Sequence, residues 1–377
     1  MKILFAGGGT GGHFYPIIAI NRALRKIAEE EQLLEIKTVF LSTSPYDKEL
    51  LRQEEIKFTW VPAGKMRRYF SILNFFDYFT MGIGVLKAIL SIFISLPDVI
   101  FAKGGYASFP ALVAGRFFRI PIIIHESDSV PGRVSMWASS FAKRIAISFP
   151  GSVHYFSDKK VALTGHPMWP SGILGGNAEN AYATFGLQKG LPTLFVTGGS
   201  QGAAKINDTI ASMLSFALND FQIIHQTGKA HIKEAIDRAS IILEKNNIKS
   251  RYHPIAYLNE AELRDLSQVV DVAVSRAGAG SIFMFAAWET PAIFIPLPHA
   301  AQDHQRENAY AYAHTGAGTV MEENNLTPHL LFEEIQHLIK DAALRKRMKA
   351  AAANFAQKDA AEKIAREIIS LALEHSS

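Results

Sequence analysis

Short runs of apolar residues alternate along this chain with longer amphipathic stretches. Apolar runs of four to eight residues are typical of buried strands, and the amphipathic stretches between them are typical of crossover helices. The pattern therefore predicts an α/β fold with parallel sheets. In the first half it predicts strands at residues 2–6, 36–42, 99–102 and 120–125, and a helix at 14–30. In the second half it predicts strands at 193–197, 222–226, 252–255, 270–275 and 292–296.

The length of 377 residues argues for two domains, because single domains usually hold about 100 to 200 residues. The run at residues 163–172, Leu-Thr-Gly-His-Pro-Met-Trp-Pro-Ser-Gly, contains two prolines and two glycines that break regular structure. We expect the hinge there. The predicted domains are residues 1–164 and residues 165–354, with a C-terminal helix at 355–377 that packs back on the first domain.

A glycine-rich turn occurs twice. Residues 4–12, Leu-Phe-Ala-Gly-Gly-Gly-Thr-Gly-Gly, and residues 194–202, Leu-Phe-Val-Thr-Gly-Gly-Ser-Gln-Gly, align without gaps at an offset of 190 residues. Each follows a predicted strand and precedes a predicted helix. Ligands of doubly wound sheets bind at the carboxyl ends of the strands, so we expect two Rossmann-like domains that face each other across a cleft.

The first turn limits the possible ligands. Gly7, Gly9 and Gly12 satisfy G-x-G-x-x-G, but no acid follows the second strand where a dinucleotide fold would bind ribose, and the P-loop lysine is absent as well. The turn can still bring backbone N–H groups and a helix N-terminus close to an anion or a sugar. His13 opens that helix, where it is either a general base for a hydroxyl or a residue that hydrogen-bonds the loop.

Other polar segments follow predicted strands and should lie on the same edges. In the first half these are residues 103–110 and 125–128, which are alternatively helix-start turns and caps. In the second half they are residues 198–202, in which Ser200 could donate to a phosphate, 275–281, a helix cap on the simpler view, and 296–305, a polar loop.

Composition excludes several classes of protein. Hydrophobic residues make up 48% and charged residues 20%, as in a globular protein. Cysteine is absent, and the 13 histidines show no metal-ligand spacing, so we expect neither a metal nor another cofactor. The first residues lack the pattern of a secretory signal, which favours a cytoplasmic protein.

Charge is uneven. Residues 1–165 hold 20 Lys and Arg against 13 Asp and Glu, a net charge of +7, and the remainder carries −3. Residues 65–81 join a basic start to clustered aromatic residues, which suits a segment that lies on an anionic membrane; a buried helix with a basic end is the alternative.

Residues 81–101 are interrupted by Lys87, Pro97 and Asp98 and are interpreted as a core helix followed by a strand. A nucleic-acid groove is not indicated.

Taken together, the motifs resemble the MurG family, the glycosyltransferases of family 28 with the GT-B fold. The resemblance covers nearly the whole chain and rests on residues 8–13, 103–106, 125–126, 198–203, 275–281 and 303–305. It implies transfer of N-acetylglucosamine (GlcNAc) from UDP-GlcNAc to lipid I, with inversion and without a metal, to form lipid II of peptidoglycan. The first domain would take the lipid acceptor and face the membrane, and the second would hold UDP-GlcNAc.

The resemblance also implies roles for single residues. His13 would be the catalytic base, with Glu126 as a second catalytic residue, Ser200 would bind the donor phosphate, Leu258 would lie at the uracil, and Gln305 would contact the donor sugar. The full set of implied substrate-binding residues is Thr10, Gly11, Gly12, Gly104, Gly105, Tyr106, Asp128, Trp169, Ser200, Gln201, Gly202, Leu258, Ala279, Gly280, Ser281, Met284, His304 and Gln305.

The chain departs from the family pattern at several of these positions. Residues 166–169 are His-Pro-Met-Trp where the family usually has Asn-Pro-x-Arg, and Met284 replaces an acid that holds the ribose. Asp128 replaces an asparagine, and Ser135-Met136 replace Asn-Lys. Each lost polar contact could cost roughly 1.5 to 3 kcal/mol of binding.

These departures keep alternatives open: a weakened or inactive scaffold with an impaired donor site, a UDP-sugar epimerase of the same fold, or transfer of another sugar to another lipid. The expected location is the cytoplasmic face of the bacterial inner membrane, bound peripherally. The expected partners are UDP-GlcNAc, lipid I, an anionic membrane surface through residues 65–81, and proteins of cell-wall synthesis or division that maintain cell shape, with no nucleic acid.

Overall fold

The protein is represented by a computed structural model that describes residues 1–33, 35–64, 73–168, 173–199, 203–244 and 248–376. The chain divides into two compact units. The first unit comprises Met1–Trp169 and Lys358–Ser377, and the second comprises Pro170–Gln357. The domain limits predicted from the sequence, after residues 164 and 354, lie a few residues before these divisions.

The first unit contains one parallel sheet. Its strands are β1 (Lys2–Ala6), β2 (Lys37–Ser42), β3 (Lys57–Trp60), β4 (Val99–Ala102), β5 (Ile122–Glu126), β6 (Arg144–Ile147) and β7 (Val161–Leu163). Its helices before the second unit are α1 (Gly11–Glu30), α2 (Lys48–Gln53), α3 (Leu73–Ser95), α4 (Phe109–Phe117) and α5 (Arg133–Ser139). The strand order is β3-β2-β1-β4-β5-β6-β7, so the order reverses between β1 and β4.

The second unit repeats this arrangement. Its strands are β8 (Thr193–Thr197), β9 (Gln222–Gln226), β10 (Tyr252–Ile255), β11 (Val272–Ser275), β12 (Ala292–Phe294) and β13 (Gly318–Val320). Its helices are α6 (Ala178–Phe185), α7 (Ala204–Ala217), α8 (Ile232–Ile242), α9 (Glu260–Leu266), α10 (Ala279–Ala287), α11 (His304–Ala313), α12 (Pro328–Lys340) and α13 (Ala342–Phe355). All strands are parallel in the order β10-β9-β8-β11-β12-β13, which reverses between β8 and β11. The predicted doubly wound α/β fold is therefore confirmed for each unit.

The central strands β1, β4 and β8 are largely apolar because both faces of each sheet are covered. In β1, Ile3 and Phe5 point into one cluster with residues of α1, while Leu4 and Ala6 point into another with residues of α3, α4 and α5. Successive side chains of a strand alternate between faces, so a strand covered on both sides is apolar at most positions. In the second unit, Leu194 and Val196 of β8 belong to the core that includes α7 and α12.

The last helix, α14 (Ala360–Ser376), belongs to the first unit. Ile364 and Ile368 are buried in the cluster that contains α1. Two ion pairs flank this contact: Arg366 to Glu31 and Arg144 to Glu367, each at 2.6 Å. The chain thus leaves the first unit, completes the second and returns.

Helix α3 is followed by a strand, as predicted, but the expectation of a core helix is wrong. Only 17% of its most apolar window, within Phe75–Ser95, is buried. Its inner side carries Gly84, Ala88 and Ile92, and a Cβ atom at Gly84 would lie 1.9 Å from the Pro62 carbonyl oxygen, so the helix packs closely on that loop. The other side is exposed and apolar, and we call it the α3 face: Phe75, Phe76, Tyr78, Phe79, Ile83, Leu86, Leu90, Phe93 and Ile94.

Candidate active site

The first glycine turn joins β1 to α1 at the carboxyl edge of the first sheet, the edge where its parallel strands end. Thr10 is the N-cap residue of α1 with an extended backbone, and its carbonyl accepts from the N–H groups of His13 and Phe14. The turn lies close to the next strand, since a Cβ atom at Gly7 would be 3.3 Å from the Cβ of Lys103. The turn therefore brings the start of α1 next to the end of β4.

The ring of His13 is held on two sides. Its Nδ1 atom lies 2.8 Å from the Thr10 hydroxyl. Its Nε2 atom would be 3.2 Å from a Cβ atom placed on Gly105, whose φ of +75° is itself in the region that favours glycine. A side chain at residue 105 would thus displace the ring. The sequence placed Thr10, Gly11, Gly12, His13, Gly104, Gly105 and Tyr106 at one site, and the structure brings them to one edge.

Lys103 is buried beside this group, with 3% of its surface exposed. Its ammonium group donates to the Ser127 hydroxyl, and that hydroxyl lies 3.3 Å from Nδ1 of His166. Burial lowers the pKa of Lys103 to about 8, although the nearby carboxylates of Glu126 and Asp128 act in the opposite direction. Lys103 and His166 lie within motifs that the sequence shows, but neither of them, nor Ser127, is among the site residues predicted from it.

Glu126 ends β5 with its carboxylate turned into a loop. Its Oε1 accepts from the Asp128 N–H at 3.1 Å and its Oε2 from the Gly132 N–H at 3.0 Å, and Ser135 also hydrogen-bonds it. Burial raises the pKa of Glu126, and the neighbouring Asp128 carboxylate raises it further. These contacts are those of a carboxylate that fixes the loop at 127–132.

Two histidines are buried behind this loop. Nε2 of His125 contacts the Gly165 carbonyl at 3.1 Å and the Ser148 hydroxyl at 3.3 Å, whereas its Nδ1 has no partner among the described residues. The rings of His125 and His166 are 6.0 Å apart. Burial and the Lys103 charge hold the pKa of both histidines well below the usual value, and the pKa of His166 is lowered further by His13. Both rings are therefore neutral near pH 7.

The second glycine turn is only partly described. Ser200, Gln201 and Gly202, like Trp169, lie outside the described residues. At the end of β8 the Thr197 hydroxyl accepts from the Gly199 N–H at 3.2 Å and from the Gln226 side chain at 3.1 Å. Gln226 in turn accepts from the Leu258 N–H at 3.1 Å, so Leu258 is tied to the carboxyl edge of the second sheet.

Helix α10 starts at this second edge, directly after β11. Gly278 is its N-cap residue, and Ala279, Gly280, Ser281 and Met284 lie in its first two turns. A helix N-terminus of this kind favours an anion.

Arg276 precedes this helix, but its guanidinium already has partners within the second unit. Arg276 donates to the carbonyls of Ile295 and Pro296 at 3.1 and 3.2 Å and pairs with Glu323. Its guanidinium therefore stabilises the unit itself.

The loop after β12 carries the last predicted residues. The Gln305 side-chain oxygen accepts from the Leu297 N–H at 3.0 Å, and His304 Nδ1 contacts the Ala301 carbonyl at 2.6 Å. His299, Gln302 and Asp303 have φ values of 60°, 57° and 55°. Such conformations cost about 1 to 3 kcal/mol each and concentrate at functional loops. Leu258, Ala279, Gly280, Ser281, Met284, His304 and Gln305 thus share the second edge.

Within the described ranges, no group of three or more His, Asp or Glu side chains has the arrangement of a metal site.

Comparisons with known proteins identify the family. Residues 3–147 match the glycosyltransferase family 28 N-terminal domain, and residues 193–364 match the C-terminal domain of the same family. A protein of Bacillus thuringiensis (strain Al Hakam), named UDP-N-acetylglucosamine--N-acetylmuramyl-(pentapeptide) pyrophosphoryl-undecaprenol N-acetylglucosamine transferase 3, is 33% identical over 338 residues, 89% of this chain and 91% of that protein. The chain belongs to glycosyltransferase family 28.

Solved structures agree on the fold of this family 28 chain. Acinetobacter baumannii MurG matches with a TM-score of 0.70 at 21% identity, over 98% of this chain and 99% of that one. The UDP-GlcNAc 2-epimerase of Neisseria meningitidis, solved with UDP-GlcNAc, matches with a TM-score of 0.68 at 13% identity, over 98% and 100%. The resemblance to the MurG family predicted from the motifs is confirmed, and the epimerase shares the fold alone.

Proposed function

We propose that this family 28 protein transfers GlcNAc from UDP-GlcNAc to undecaprenyl-diphosphate-linked N-acetylmuramyl-pentapeptide, lipid I, and so forms lipid II in peptidoglycan synthesis. The observation that carries this function is the 33% identity, over 89% of the chain, to a protein named for that transfer. The geometry around His13 supports it, because a histidine fixed at a helix start can accept a proton from a sugar hydroxyl.

In the proposed reaction, Nδ1 of His13 donates to the Thr10 hydroxyl, and Nε2 takes the proton of the acceptor hydroxyl. The acceptor oxygen forms a bond to C1 of GlcNAc while the bond from C1 to the diphosphate oxygen breaks. UDP leaves with that electron pair, and attack from the opposite side inverts C1. A positioned base contributes about 10² to 10⁴ in rate.

Glu126 has a different part in this proposal. Its two oxygens already accept from the N–H groups of Asp128 and Gly132, so it shapes the loop at 127–132 beside the acceptor. The donor nucleotide binds the second unit, at the start of α10 and the strained loop that precedes Gln305.

The test combines binding with turnover. We expect UDP and UDP-GlcNAc to bind with micromolar dissociation constants in titration calorimetry, and a short-chain lipid I analogue to receive GlcNAc. His154→Ala, which changes an exposed histidine of the first unit, serves as the matched control for His13 variants. Donor binding without transfer would refute the lipid I reaction. Failure to bind donor even at millimolar concentration would favour the scaffold alternative.

We further propose that the protein binds peripherally to an anionic membrane, at the cytoplasmic face of the inner membrane, through the α3 face. The α3 face consists of nine large apolar side chains that are exposed next to one another on one helix, and contiguous exposed apolar patches mark membrane or protein contacts. Ala88 and Ile92 fix the opposite side of α3 in the core of the first unit, which supports docking over spanning. Lys87 lies 4.1 Å from the ring of the half-exposed Trp60 beside this face, a cation and an aromatic ring that suit a lipid headgroup region.

A basic cavity lies near the end of the α3 face. It has a volume of about 660 Å³ and its cationic lining is Arg116, Arg119, Lys143, Arg144 and Lys160. Phe93 of the α3 face stacks on Phe118, which adjoins that lining, so the apolar and cationic surfaces are continuous. The cavity lies where β5 and β6 begin, at the edge opposite His13, and cations near apolar surface favour anionic lipid.

Vesicle co-sedimentation tests the membrane proposal. We expect binding to vesicles that contain phosphatidylglycerol, weaker binding to pure phosphatidylcholine, and loss of binding in the variant Phe76→Ser/Phe79→Ser/Leu86→Ser. Ile241→Ser, at an exposed apolar residue of the second unit, is the control. Undiminished binding of the triple variant would refute docking through the α3 face. Contacts with proteins of cell-wall synthesis or division stay a prediction.

A further inference from the structure

Three polar side chains from different loops connect end to end at the carboxyl edge of the first sheet. Lys103 follows β4, Ser127 follows β5 and His166 follows β7. The Lys103 ammonium donates to the Ser127 hydroxyl oxygen, which lies 3.3 Å from Nδ1 of His166. Lys103 and His166 are each about 3% exposed, so water does not compete for these contacts.

The chemistry of the groups favours one direction for this hydrogen-bond chain. An ammonium group can only donate, so the Ser127 oxygen accepts from Lys103 and the Ser127 proton is available to His166. When Ser127 donates that proton, Nδ1 of His166 is the acceptor; an Nδ1–H that donates to the second lone pair of Ser127 is the opposite arrangement. Burial and the Lys103 charge keep the pKa of His166 well below its usual value, so the ring is neutral, and with Ser127 as the donor its single proton is on Nε2.

The chain lies close to the proposed base. A Cβ atom placed on Gly7 would lie 3.3 Å from the Cβ of Lys103 and 3.8 Å from the Cβ of His13, so the two residues are neighbours. His13 is also near enough to His166 that charge on one disfavours charge on the other. A neutral His166 thus leaves His13 able to accept a proton, whereas a cationic His166 would oppose it. The other ionisable groups facing Lys103 and His166 are Glu126 and Asp128 after β5, which favour the Lys103 cation, and His125 within β5, which is neutral.

We propose that Lys103, Ser127 and His166 form a donor chain that holds His166 uncharged, with its ring proton on Nε2, and that these positioning residues thereby keep His13 available as the base. The effect on turnover rests on the proposed transfer function, but the tautomer of His166 does not. The two can therefore be tested separately.

Nitrogen-15 NMR of protein labelled at histidine tests the tautomer without any substrate. The His166 signals are assigned by their loss in His166→Asn. We expect Nε2 to be protonated and Nδ1 to be bare in the natural protein, and a mixture of tautomers in Ser127→Ala. A proton on Nδ1 in the natural protein, or an unchanged tautomer in Ser127→Ala, would refute the proposed donor chain whether or not the protein transfers GlcNAc.

Kinetics then test the effect on the base. Ser127→Ala should lower kcat about tenfold with KM for UDP-GlcNAc unchanged within about twofold, and Ser127→Thr should restore kcat because it restores the hydroxyl. His166→Asn should stay within about threefold of the natural kcat, since the amide is uncharged and its oxygen accepts from Ser127, whereas His166→Lys, which places a cation near His13, should lose tenfold or more. Ser148→Ala is the matched control, because it removes a buried hydroxyl that is not part of the hydrogen bonds from Lys103 through Ser127 to His166.

The pH profile separates this role from simple packing. Lys103 loses its proton near pH 8, after which its amine can accept from Ser127 and compete with His166. We expect kcat of the natural protein to fall above about pH 8, and Lys103→Met to lack this alkaline limb at a uniformly lower kcat. Equal profiles, or a full kcat in Lys103→Met, would show that the lysine does not act on the reaction.

Discussion

The carboxyl edges of the two sheets have the same topology but different chemistry. The first edge buries the ionisable side chains of Lys103, His166 and Glu126, the first two joined through Ser127, with His13 beside them. The second edge presents backbone N–H groups, amides and a helix start, and its buried Arg276 is bound to carbonyls and Glu323. Proton chemistry is therefore expected at the first edge and charge recognition by the backbone at the second.

The largest expected effect is the loss of turnover on removing the His13 side chain from the first edge. His13→Ala should lower kcat by about 10² to 10⁴ while UDP binding is unchanged, because the proposed base is lost and the unit proposed to bind the donor is untouched. Steady-state transfer and titration calorimetry measure the two quantities. Unchanged turnover would return His13 to a structural role at the turn, and weakened UDP binding would show that the two edges do not divide the work as proposed.

The next largest effect is expected at the second edge, and it is a loss of stability rather than of turnover. It should follow from removing Arg276, the buried cation paired with Glu323. Arg276→Met leaves Glu323 and two carbonyls without their partner, so the second unit should lose about 3 to 5 kcal/mol of its free energy of unfolding. Hydrogen exchange read by mass spectrometry follows each unit separately. The control Arg238→Met breaks an exposed pair with Asp208 and should cost under about 1 kcal/mol. Equal costs would contradict a structural role for Arg276.

Acid should also distinguish the units. His125 and His166 in the first unit and His225 in the second, with a pKa of about 3, are neutral when folded. The unfolded chain takes up these protons below about pH 6.5, so each histidine stabilises the fold fully above that pH and loses roughly 2 kcal/mol of stabilisation between pH 6.5 and 5. The raised pKa of Glu126 acts in the opposite direction.

Urea unfolding at several pH values measures this dependence. His166→Asn should flatten the pH dependence of the first unit by about the contribution of one histidine and leave that of the second unchanged. A slope as steep as that of the natural protein would mean that His166 is protonated in the folded protein.

The smallest expected effect is a change in donor affinity on replacing Met284 at the second edge. Met284 replaces the acid that the family pattern places against the ribose, so Met284→Glu should tighten UDP-GlcNAc binding about tenfold, or roughly 1.4 kcal/mol. Calorimetry measures it, with Met136→Glu in the first unit as the control. Weaker binding would show that the neighbours of Met284 have adapted to an apolar residue.

The sequence was sufficient for strands that are short apolar runs. Residues 2–6, 99–102 and 193–197 were predicted to the residue, because strands buried on both faces are largely apolar. The bounds of β9 and of the edge strand β10, residues 222–226 and 252–255, were also predicted to the residue. The edge strand β3 was missed since it is short and half exposed, and so were β6, β7 and β13. Helix α3 was mistaken for a core helix because an apolar composition does not show what covers it.

The same contrast holds for the site. The glycine turns and His13 could be recognised from local spacing, since a tight turn and a helix start lie within a few residues. The chain from Lys103 to Ser127 to His166 could not, because its members are separated by 24 and 39 residues and meet only when β4, β5 and β7 lie in one sheet. The carboxyl end of each parallel strand was the available signal, and it indicates an edge without indicating partners.

The return of α14 to the first unit has a consequence for biosynthesis. During translation the second unit can complete its core once residues up to 357 have emerged, whereas the first lacks Ile364 and Ile368 until residues 360–376 follow. The unit made first thus finishes folding last, with the apolar surface of α1 uncovered in the meantime. A nascent chain in this state is a natural client for chaperones, and a premature stop before residue 360 would damage the half of the protein encoded farthest from it.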